Sequence, residues 1–419
     1  MNLSEETLHF IREHRNEDVR VLALLAHRYP MVDMPNALTQ ITGWKVSRDK
    51  IPTWATHEML LYPPHLSMEQ CSSEATARYK TEVIRTFSQK EDISPWDSLT
   101  DLTGGFGIDC AFLSSCFKKV TYVEQQEILC EIASHNFPLL GLNHITVSHE
   151  DGIRHLQQMA PVDWIFIDPA RRDSHGGKTV AISDCEPNIA ALEKLLLEKA
   201  RHVLVKLSPM LDLTLALHDL KHVQQVHVVS LNNECKELLL VLGHVEKVGI
   251  SPSKEAEAEV PIENIPIHCI NLNYQQGVQS LIFNRREEKE LPTRYTSTLK
   301  TYLYEPNVSI LKAGAYRSIS SIYKVEKLHP NSHLYTSDNY IPDFPGRKFR
   351  IIKSGSLNKK EVKELLGTEK KSNLTVRNFP ASVAELRKRL KLAEGGELYL
   401  FATTLADERK LLISCKQIH

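Results

Sequence analysis

The segment DLTGGFGIDCAFLSSCFKKVTYVEQ, residues 101 to 125, combines glycines and carboxylates in a spacing that suits a nucleoside cofactor. Without a Cβ, glycine lets the backbone turn tightly and lie against a ligand. Asp101 precedes the turn, and Glu124 closes the next apolar run, where a carboxylate can accept ribose hydroxyls. A fixed negative charge at Asp101 disfavours a pyrophosphate and favours a cationic amino-acid end. The pattern therefore indicates S-adenosyl-L-methionine, which carries an ammonium, a sulfonium and a ribose but no phosphate.

Alternating strands and helices between about residues 95 and 245 must position these groups. Short apolar strands separated by helices are typical of a parallel sheet covered on both faces. The last two strands, VQQVHVVSL and KELLLVLGH, are joined only by NNEC, which is too short for a helical crossover. They must form an antiparallel hairpin. The predicted fold class is therefore α/β, with a Rossmann-like sheet of seven strands, the last antiparallel, which is the methyltransferase variant of the nucleotide-binding fold.

At these residues the sequence resembles the class I S-adenosylmethionine-dependent methyltransferases. DLTGGFG resembles their first motif, VEQ their ribose-binding acid, HEDG (149–152) their third motif and FIDPARR (166–172) their fourth. Thr103 stands where many members have the first glycine of the loop, a departure that several nucleic-acid branches share. The resemblance implies that Asp151 lies beside the adenine amino group. It implies cofactor contacts from Asp101, Thr103, Gly104, Gly105, Gly107, Glu124, Asp151 and Asp168.

The acceptor site is predicted at the fourth motif, because ligands of such sheets bind outside the carboxyl ends of the strands. Amino-directed methyltransferases often have an acid or amide there, then two prolines and an aromatic residue. This chain keeps Asp168 and Pro169 but continues with Ala170 and Arg171. An Arg guanidinium can stack on a base or bind a phosphate. We therefore expect Asp168 and Arg171 to be catalytic, with Arg171 and Arg172 also binding substrate.

Two further acceptor residues stay open on sequence grounds. Ser208, in KLSPMLDL after the fifth strand, is predicted to bind substrate, although turn formation explains it equally well. Cys235, in NNECKELL, is a candidate nucleophile, but a buried thiol in a hairpin is favoured. His218 and His222 have the spacing of a metal pair without a third ligand, so no metal is predicted.

A finer resemblance covers almost the whole chain. EQCSSEATARYK, NECKELL, LYEPNVSILKAGA and RNFPASVAELRKRLKL resemble a bacterial family that joins a methyltransferase domain to a ferredoxin-like module and a C-terminal THUMP-like domain. THUMP domains bind structured RNA, often tRNA, so the resemblance implies an RNA substrate. Lys388 and Arg389, in the basic segment of this domain, are the predicted contacts. The predicted domains are an N-terminal helical region (1–90), the methyltransferase domain (91–250), a small mixed or ferredoxin-like module (260–345) and a THUMP-like α+β domain (346–419).

Charge and composition limit the alternatives. The net charge of −1 does not suggest a simple nucleic-acid binder, yet residues 345–391 contain 14 Lys or Arg against 4 acids. Such asymmetry suggests a polyanion contact, although a solvated lysine-rich surface gives the same count. No apolar run reaches bilayer length, the N-terminus lacks a signal pattern, and the eight cysteines form no CxxC. We expect reduced thiols, a cytoplasmic location, no membrane partner and no DNA specificity.

Three functions fit the sequence. The first is methylation of a base in a structured RNA, either tRNA or rRNA. The second is methylation of a small molecule or protein, with a purely structural C-terminal domain. The third is a non-catalytic RNA-binding scaffold that retains the cofactor fold. The target nucleotide, the methylated atom and the oligomeric state are not specified by the residues.

Overall fold

The computed structural model describes residues 3–171, 181–244, 260–274 and 277–418, except for the side chain of residue 171. The chain forms two compact units. The first consists of Met1–Gln224 and Leu239–Val260, and the second of Gln225–Leu238 and Pro261–His419. No helix in the described ranges is both long enough and apolar enough to cross a membrane.

Six α-helices precede the main sheet in the described residues. Hydroxyl or carboxylate side chains begin four of them: Ser4, Asp18, Asp33 and Ser73 each accept a backbone N–H of the first turn. Phe10, Leu22 and Ile41 are buried in the small core of this region. The six helices are α1 (Glu5–His14), α2 (Val19–Leu24), α3 (Met34–Lys50), α4 (Pro52–Ala55), α5 (His65–Gln70) and α6 (Glu74–Glu91).

Strands and helices then alternate as the sequence predicts. The central strands are nearly continuous apolar runs because helices cover both sheet faces. The elements are β1 (Trp96–Asp101), α7 (Ile108–Leu113), β2 (Phe117–Glu124), α8 (Glu127–Leu139), β3 (Ile145–His149), α9 (Gly152–Gln158), β4 (Val162–Ile167), β5 (Ala170–Arg171), β6 (Cys185–Glu186), α10 (Ile189–Lys199), β7 (Ala200–Leu207), α11 (Leu213–Asp219), β8 (Val223–Leu231) and β9 (Glu234–Gly243).

The prediction of seven strands in the main sheet is wrong, because this mixed sheet has nine strands in the described residues. Two later strands, β10 (Ile267–Asn273) and β11 (Gly277–Phe283), extend it in the order β11-β10-β8-β9-β7-β4-β1-β2-β3. β10 runs parallel to β8, and β11 runs antiparallel to β10. The pairing covers the backbone groups that β8 would otherwise expose at a sheet edge. Pairing between segments far apart in the chain leaves no local sequence signal, so these residues resembled part of the next module.

Parallel pairing aligns the carboxyl ends of the strands that carry the motifs. In the ladders, Asp101 lies opposite Phe166 of β4 and Tyr122 of β2, and Glu124 lies opposite His149 of β3. The loops after β1, β2, β3 and β4 therefore leave the sheet at one edge. That edge is where an open α/β sheet binds its ligand.

The second unit contains a second sheet and five helices in the described residues after β11. The elements are α12 (Arg285–Glu290), β12 (Tyr302–Pro306), α13 (Val308–Ala313), α14 (Tyr316–Tyr323), β13 (Glu326–Lys327), β14 (Tyr335–Ser337), β15 (Gly346–Gly355), α15 (Lys359–Leu366), β16 (Asn373–Arg377), α16 (Val383–Leu390), β17 (Leu398–Thr404) and β18 (Lys410–Ile418). The seven strands pair in the order β13-β14-β12-β15-β18-β17-β16. Buried Glu305 of this sheet pairs with Arg347 and Arg377, so charges from three strands meet there.

Candidate active site

The glycine loop after β1 is held against β2. The N–H of Gly104 donates to the carbonyl of Val123 at 2.8 Å, and the Tyr122 hydroxyl donates to the carbonyl of Gly105. A Cβ on Gly104 would lie 2.3 Å from the Tyr122 ring, so only glycine fits there. Gly107 has φ +86°, which favours glycine for conformational reasons. The loop is thereby fixed at the crevice before any ligand binds.

Asp101 contributes a buried carboxylate that is only partly satisfied. Its side chain is 1% exposed, and Oδ1 accepts the N–H of Thr103 at 3.0 Å. Oδ2 has no hydrogen-bond partner among the described residues. Burial raises the pKa of Asp101 well above its ordinary value, the Thr103 amide opposes this, and the nearby acids add to it. A buried carboxylate with an unpaired oxygen is costly unless a donor reaches it. The ammonium of a cofactor supplies such a donor, so the residue fits the predicted role.

Glu124 supports the loop as well as facing the crevice. Its Oε2 accepts the N–H of Gly105 at 2.8 Å, and its Oε1 accepts the N–H of Gln126 at 2.8 Å. Each carboxylate oxygen has a second lone pair that can accept another donor. Glu124 can therefore bind ribose hydroxyls while it holds the glycine loop, a second role that the sequence did not suggest.

The loops after β1 and β4 are linked directly. Thr103 Oγ1 accepts the backbone N–H of Asp168 at 2.7 Å, and the N–H of Leu102 donates to the carbonyl of Phe166 at 3.0 Å. Glycine could not make the first of these bonds. Thr103 thus joins the predicted cofactor loop to the predicted catalytic loop, which gives its departure from the usual glycine a structural purpose.

Asp151 begins α9 at the same edge. Its Oδ1 accepts the N–H of Arg154 at 2.9 Å, and the residue is exposed. A Cβ on the next residue, Gly152, would lie 2.2 Å from the carbonyl oxygen of Leu102, so this turn packs closely on the loop after β1. Asp151 is therefore an exposed helix cap next to the glycine loop.

The predicted substrate residues have different surroundings. Ser208 is half-buried, and its Oγ accepts the N–H of Met210 at 3.3 Å, so it forms the turn after β7. Arg171 belongs to β5 by its backbone, but its side chain and the whole of Arg172 lie outside the described residues. Lys388 and Arg389 are exposed on α16, in the second unit.

Sequence reasoning missed a chain of four alternating charges at this edge. Lys206, near the end of β7, contacts Asp168 Oδ2 and lies 3.4 Å from Asp109 Oδ2. Asp109 Oδ2 also accepts a hydrogen bond from the Ser72 hydroxyl at 2.6 Å, and Asp109 Oδ1 forms an ion pair with Lys80 Nζ at 3.1 Å. Burial opposes the ionisation of Asp109, but Lys80 and Lys206 outweigh it and lower its pKa to about 2. One signal was available, a lysine within the apolar strand HVLVKLSP.

Cys235 does not have the features of an activated thiol nucleophile. Burial raises the pKa of Cys235 to about 11, although nearby Lys312 works in the opposite direction. The thiolate is the reactive form of cysteine, and a pKa in this range leaves little of it at neutral pH. No disulfide occurs in the described ranges, which include all eight cysteines.

A cavity of about 510 Å³ lies between α8 and β3, beside the crevice loops. One lining residue contacts the end of β2: Cys130 Sγ donates to the carbonyl of Glu124 at 3.2 Å. None of the predicted site residues lines it, so the cavity adds no support to their roles. Its lining consists of Leu61, Glu127, Cys130, Glu131, Ser134, His135, Val147 and His149.

Sheet order, glycine loop and paired carboxylates together define the class I S-adenosylmethionine-dependent methyltransferase fold. Comparison with known proteins agrees. Residues 67–173 match the protein-L-isoaspartate (D-aspartate) O-methyltransferase family, residues 302–345 a ferredoxin-like domain and residues 346–417 a THUMP-like domain. The resemblance noted in the sequence is thereby confirmed, and S-adenosyl-L-methionine is the cofactor of this class.

A solved structure of a proposed methyltransferase from Porphyromonas gingivalis is 34% identical and matches 100% of both chains, with a TM-score of 0.82. The chain belongs to the same family as that protein. The curated relatives are protein-L-isoaspartate O-methyltransferases. The one from Paracoccus denitrificans is 31% identical over 94 residues, 22% of this chain and 44% of the relative. The one from Protochlamydia amoebophila is 28% identical over 85 residues, 20% and 40% of the two chains. The chain thus spans less than half the length of these curated relatives.

Proposed function

We propose that the protein transfers the methyl group of S-adenosyl-L-methionine to a base of a structured RNA, tRNA or rRNA, which its THUMP-like domain binds. The observation that carries the proposal is the presence, in one chain, of a methyltransferase crevice and a THUMP-like domain rich in Lys and Arg. We also propose the four predicted segments as its domains and the cytoplasm as its location.

The crevice residues have separate tasks toward the cofactor. Asp101 would accept the ammonium through Oδ2, Glu124 would accept the ribose hydroxyls, and Asp151 would accept the adenine amino group. Gly104, Gly105 and Gly107 let the backbone approach the ligand, while Thr103 keeps the loop beside Asp168. The cofactor would supply an electrophilic methyl group on its sulfonium, and its thioether would be the leaving group when an acceptor attacks the methyl carbon in line.

Asp168 is the proposed acceptor-side group. Its carboxylate is about one-third exposed at the end of β4, so it is accessible from the crevice while Lys206 holds one oxygen. It can accept a hydrogen bond from an attacking amine and so orient the lone pair, or it can take up the proton that is released. Proximity and alignment supply most of the rate enhancement in such a displacement. Arg171, two residues after Pro169, would bind the base or its phosphate.

The RNA contact is proposed on the surface of the last domain. Lys388, Arg389 and Lys391 are exposed at the end of α16 and just after it. A capping box starts this helix, in which Ser382 accepts the N–H of Glu385 and Glu385 accepts the N–H of Ser382. The Glu385 carboxylate is thus occupied by the helix cap, and Lys388, Arg389 and Lys391 are exposed to solvent. Neutralisation of RNA phosphates by such residues favours binding through the release of counterions.

A second candidate is methyl transfer to a carboxylate of a damaged protein. The match of residues 67–173 to the protein-L-isoaspartate family favours it. That match ends just beyond the loop after β4, so it covers the glycine loop and Asp168 but not β7 or the THUMP-like domain. A shared way of binding the cofactor therefore explains the match as well as a shared acceptor substrate does.

Mass spectrometry of the modified nucleosides of tRNA and rRNA tests the proposal. RNA from cells with and without the gene should differ in one methylated nucleoside, and a plasmid copy with Asp168→Ala should fail to restore it. Identical nucleoside profiles in the two strains would contradict an RNA substrate. Accumulated isoaspartyl residues in the mutant proteome would instead favour the second candidate.

A further inference from the structure

Lys206 lies where it can control the side chain of Asp168. Strands β4 and β7 pair in parallel, with Ile167 opposite Val205, so the two side chains extend from neighbouring strand ends. The Lys206 ammonium contacts Asp168 Oδ2, and its side chain is largely buried. A lysine in a nearly buried position is costly, and a well-packed apolar residue there would usually stabilise the fold as well or better. Stability alone therefore does not account for this residue.

The ammonium of Lys206 is itself held from behind. Asp109 Oδ2 lies 3.4 Å from it on the side of α7. Asp109 is fixed in turn by Lys80, which is fully buried on α6 and bonded to Ser72 Oγ at 3.1 Å. The charges alternate along this path, so each buried ion has a partner of opposite sign. Helix α6 thereby fixes the position of an ammonium at the mouth of the crevice.

We propose that Lys206 is a positioning residue, which holds the Asp168 carboxylate in the orientation needed for transfer, with Asp109 and Lys80 anchoring it from inside the fold. The proposal rests on the proposed function, because it takes Asp168 as the acceptor-side group. Lys206 occupies one oxygen of Asp168 and leaves the other to face the acceptor. Loss of the ammonium would let the carboxylate rotate, and misplacement by about 1 Å can cost about 100-fold in rate.

Steady-state kinetics of full-length variants tests this role. Lys206→Met should lower kcat at least about 10-fold while KM for the acceptor and the Kd for S-adenosyl-L-methionine change less than about 3-fold. Lys206→Arg keeps the charge and should recover most of the turnover. The matched control is Lys194→Met, on α10, whose side chain is 90% exposed and which should behave as wild type.

A double-mutant comparison separates positioning from general weakening. If Lys206 acts through Asp168, then Lys206→Met should cost nothing further in an Asp168→Asn background. An equal loss in both backgrounds would overturn the proposal. For each variant, the Kd for S-adenosyl-L-methionine and the Tm show whether the protein has folded.

The test also distinguishes failure of the proposed function. Wild-type protein is assayed on RNA and on an isoaspartyl peptide, and the variants are compared on whichever acceptor is methylated. The proposed function fails if RNA is not methylated. If the peptide is not methylated either, the crystal structure of Lys206→Met decides the positioning role. A displaced Asp168 side chain supports it, and an unmoved one overturns it.

Discussion

Thr103 Oγ1 accepts the backbone N–H of Asp168 across 2.7 Å, so one hydroxyl ties the glycine loop to the loop of the proposed catalytic acid. Replacing Thr103 with Val keeps the shape but leaves that N–H without its partner. The expected cost is about 1 kcal/mol of stability and a clear loss of methyl transfer. Thr103→Ser, which keeps the hydroxyl, should retain both. Equal activity in the two variants would contradict the proposed link.

The Asp101 carboxylate should limit the stability of the ligand-free protein. Burial raises the pKa of Asp101 in the folded protein well above the 3.8 of an unfolded chain. The stability contributed by the protonated carboxyl group is therefore complete below pH 3.8, and it is lost as the pH rises through the folded-state pKa. Asp101→Asn cannot ionise, so it should raise Tm by a few degrees at pH 8 and by less near pH 4. The same variant should bind S-adenosyl-L-methionine more weakly. A lower Tm for Asp101→Asn than for the wild type at pH 8 would argue against a destabilising charge at Asp101.

Cofactor binding should release a proton from Asp101. The groups that raise the pKa with burial are the carboxylates of Asp109, Asp168 and Glu124, and the Thr103 amide acts against them. An ammonium beside Asp101 favours the ionised form, so affinity should rise with pH until the free protein has already lost this proton. Calorimetry in two buffers with different ionisation enthalpies measures the release. Heats that are identical in both buffers, or unchanged in Asp101→Asn, would count against it.

Gly104 should tolerate no side chain. A Cβ there would meet the Tyr122 ring at 2.3 Å, so Gly104→Ala should displace the loop and abolish measurable cofactor binding. Gly141→Ala is the control, because no atom lies within 4 Å of its Cβ position and only the strain of its positive φ applies, about 1 kcal/mol. Normal cofactor affinity in Gly104→Ala would show that the loop does not face the ligand.

Charge reversal on α16 should weaken RNA binding without affecting the cofactor. Replacing Lys388, Arg389 and Lys391 with Glu removes about three phosphate contacts, so the negative slope of log K against log salt should become shallower by roughly 3. The control reverses three exposed lysines of the first unit: Lys118, Lys119 and Lys194. Filter binding to total tRNA at several salt concentrations gives both slopes. Matching losses in the two triple variants would locate the RNA contact elsewhere.

Local patterns predicted the parts of the site that lie in single short segments. The turn around Gly104 and Gly107 and the hairpin of β8 and β9 depend on neighbouring residues, so their sequence was informative. Apart from the lysine within the apolar strand β7, the charge chain left no local signal, because Lys80, Asp109 and Lys206 come together only after α6, α7 and β7 have packed. The place of β10 in the main sheet was not predictable for the same reason, since its partner strand β8 lies far away in the chain.

The most direct test is transfer of labelled methyl from S-adenosyl-L-methionine by the purified full-length protein. The acceptors are RNA from a strain that lacks the gene and, in parallel, an isoaspartyl peptide, with Asp168→Ala as the inactive control. The account predicts label in a single nucleoside after nuclease digestion, and none with the control. Label confined to the peptide, or label in neither acceptor although the cofactor binds, would contradict it.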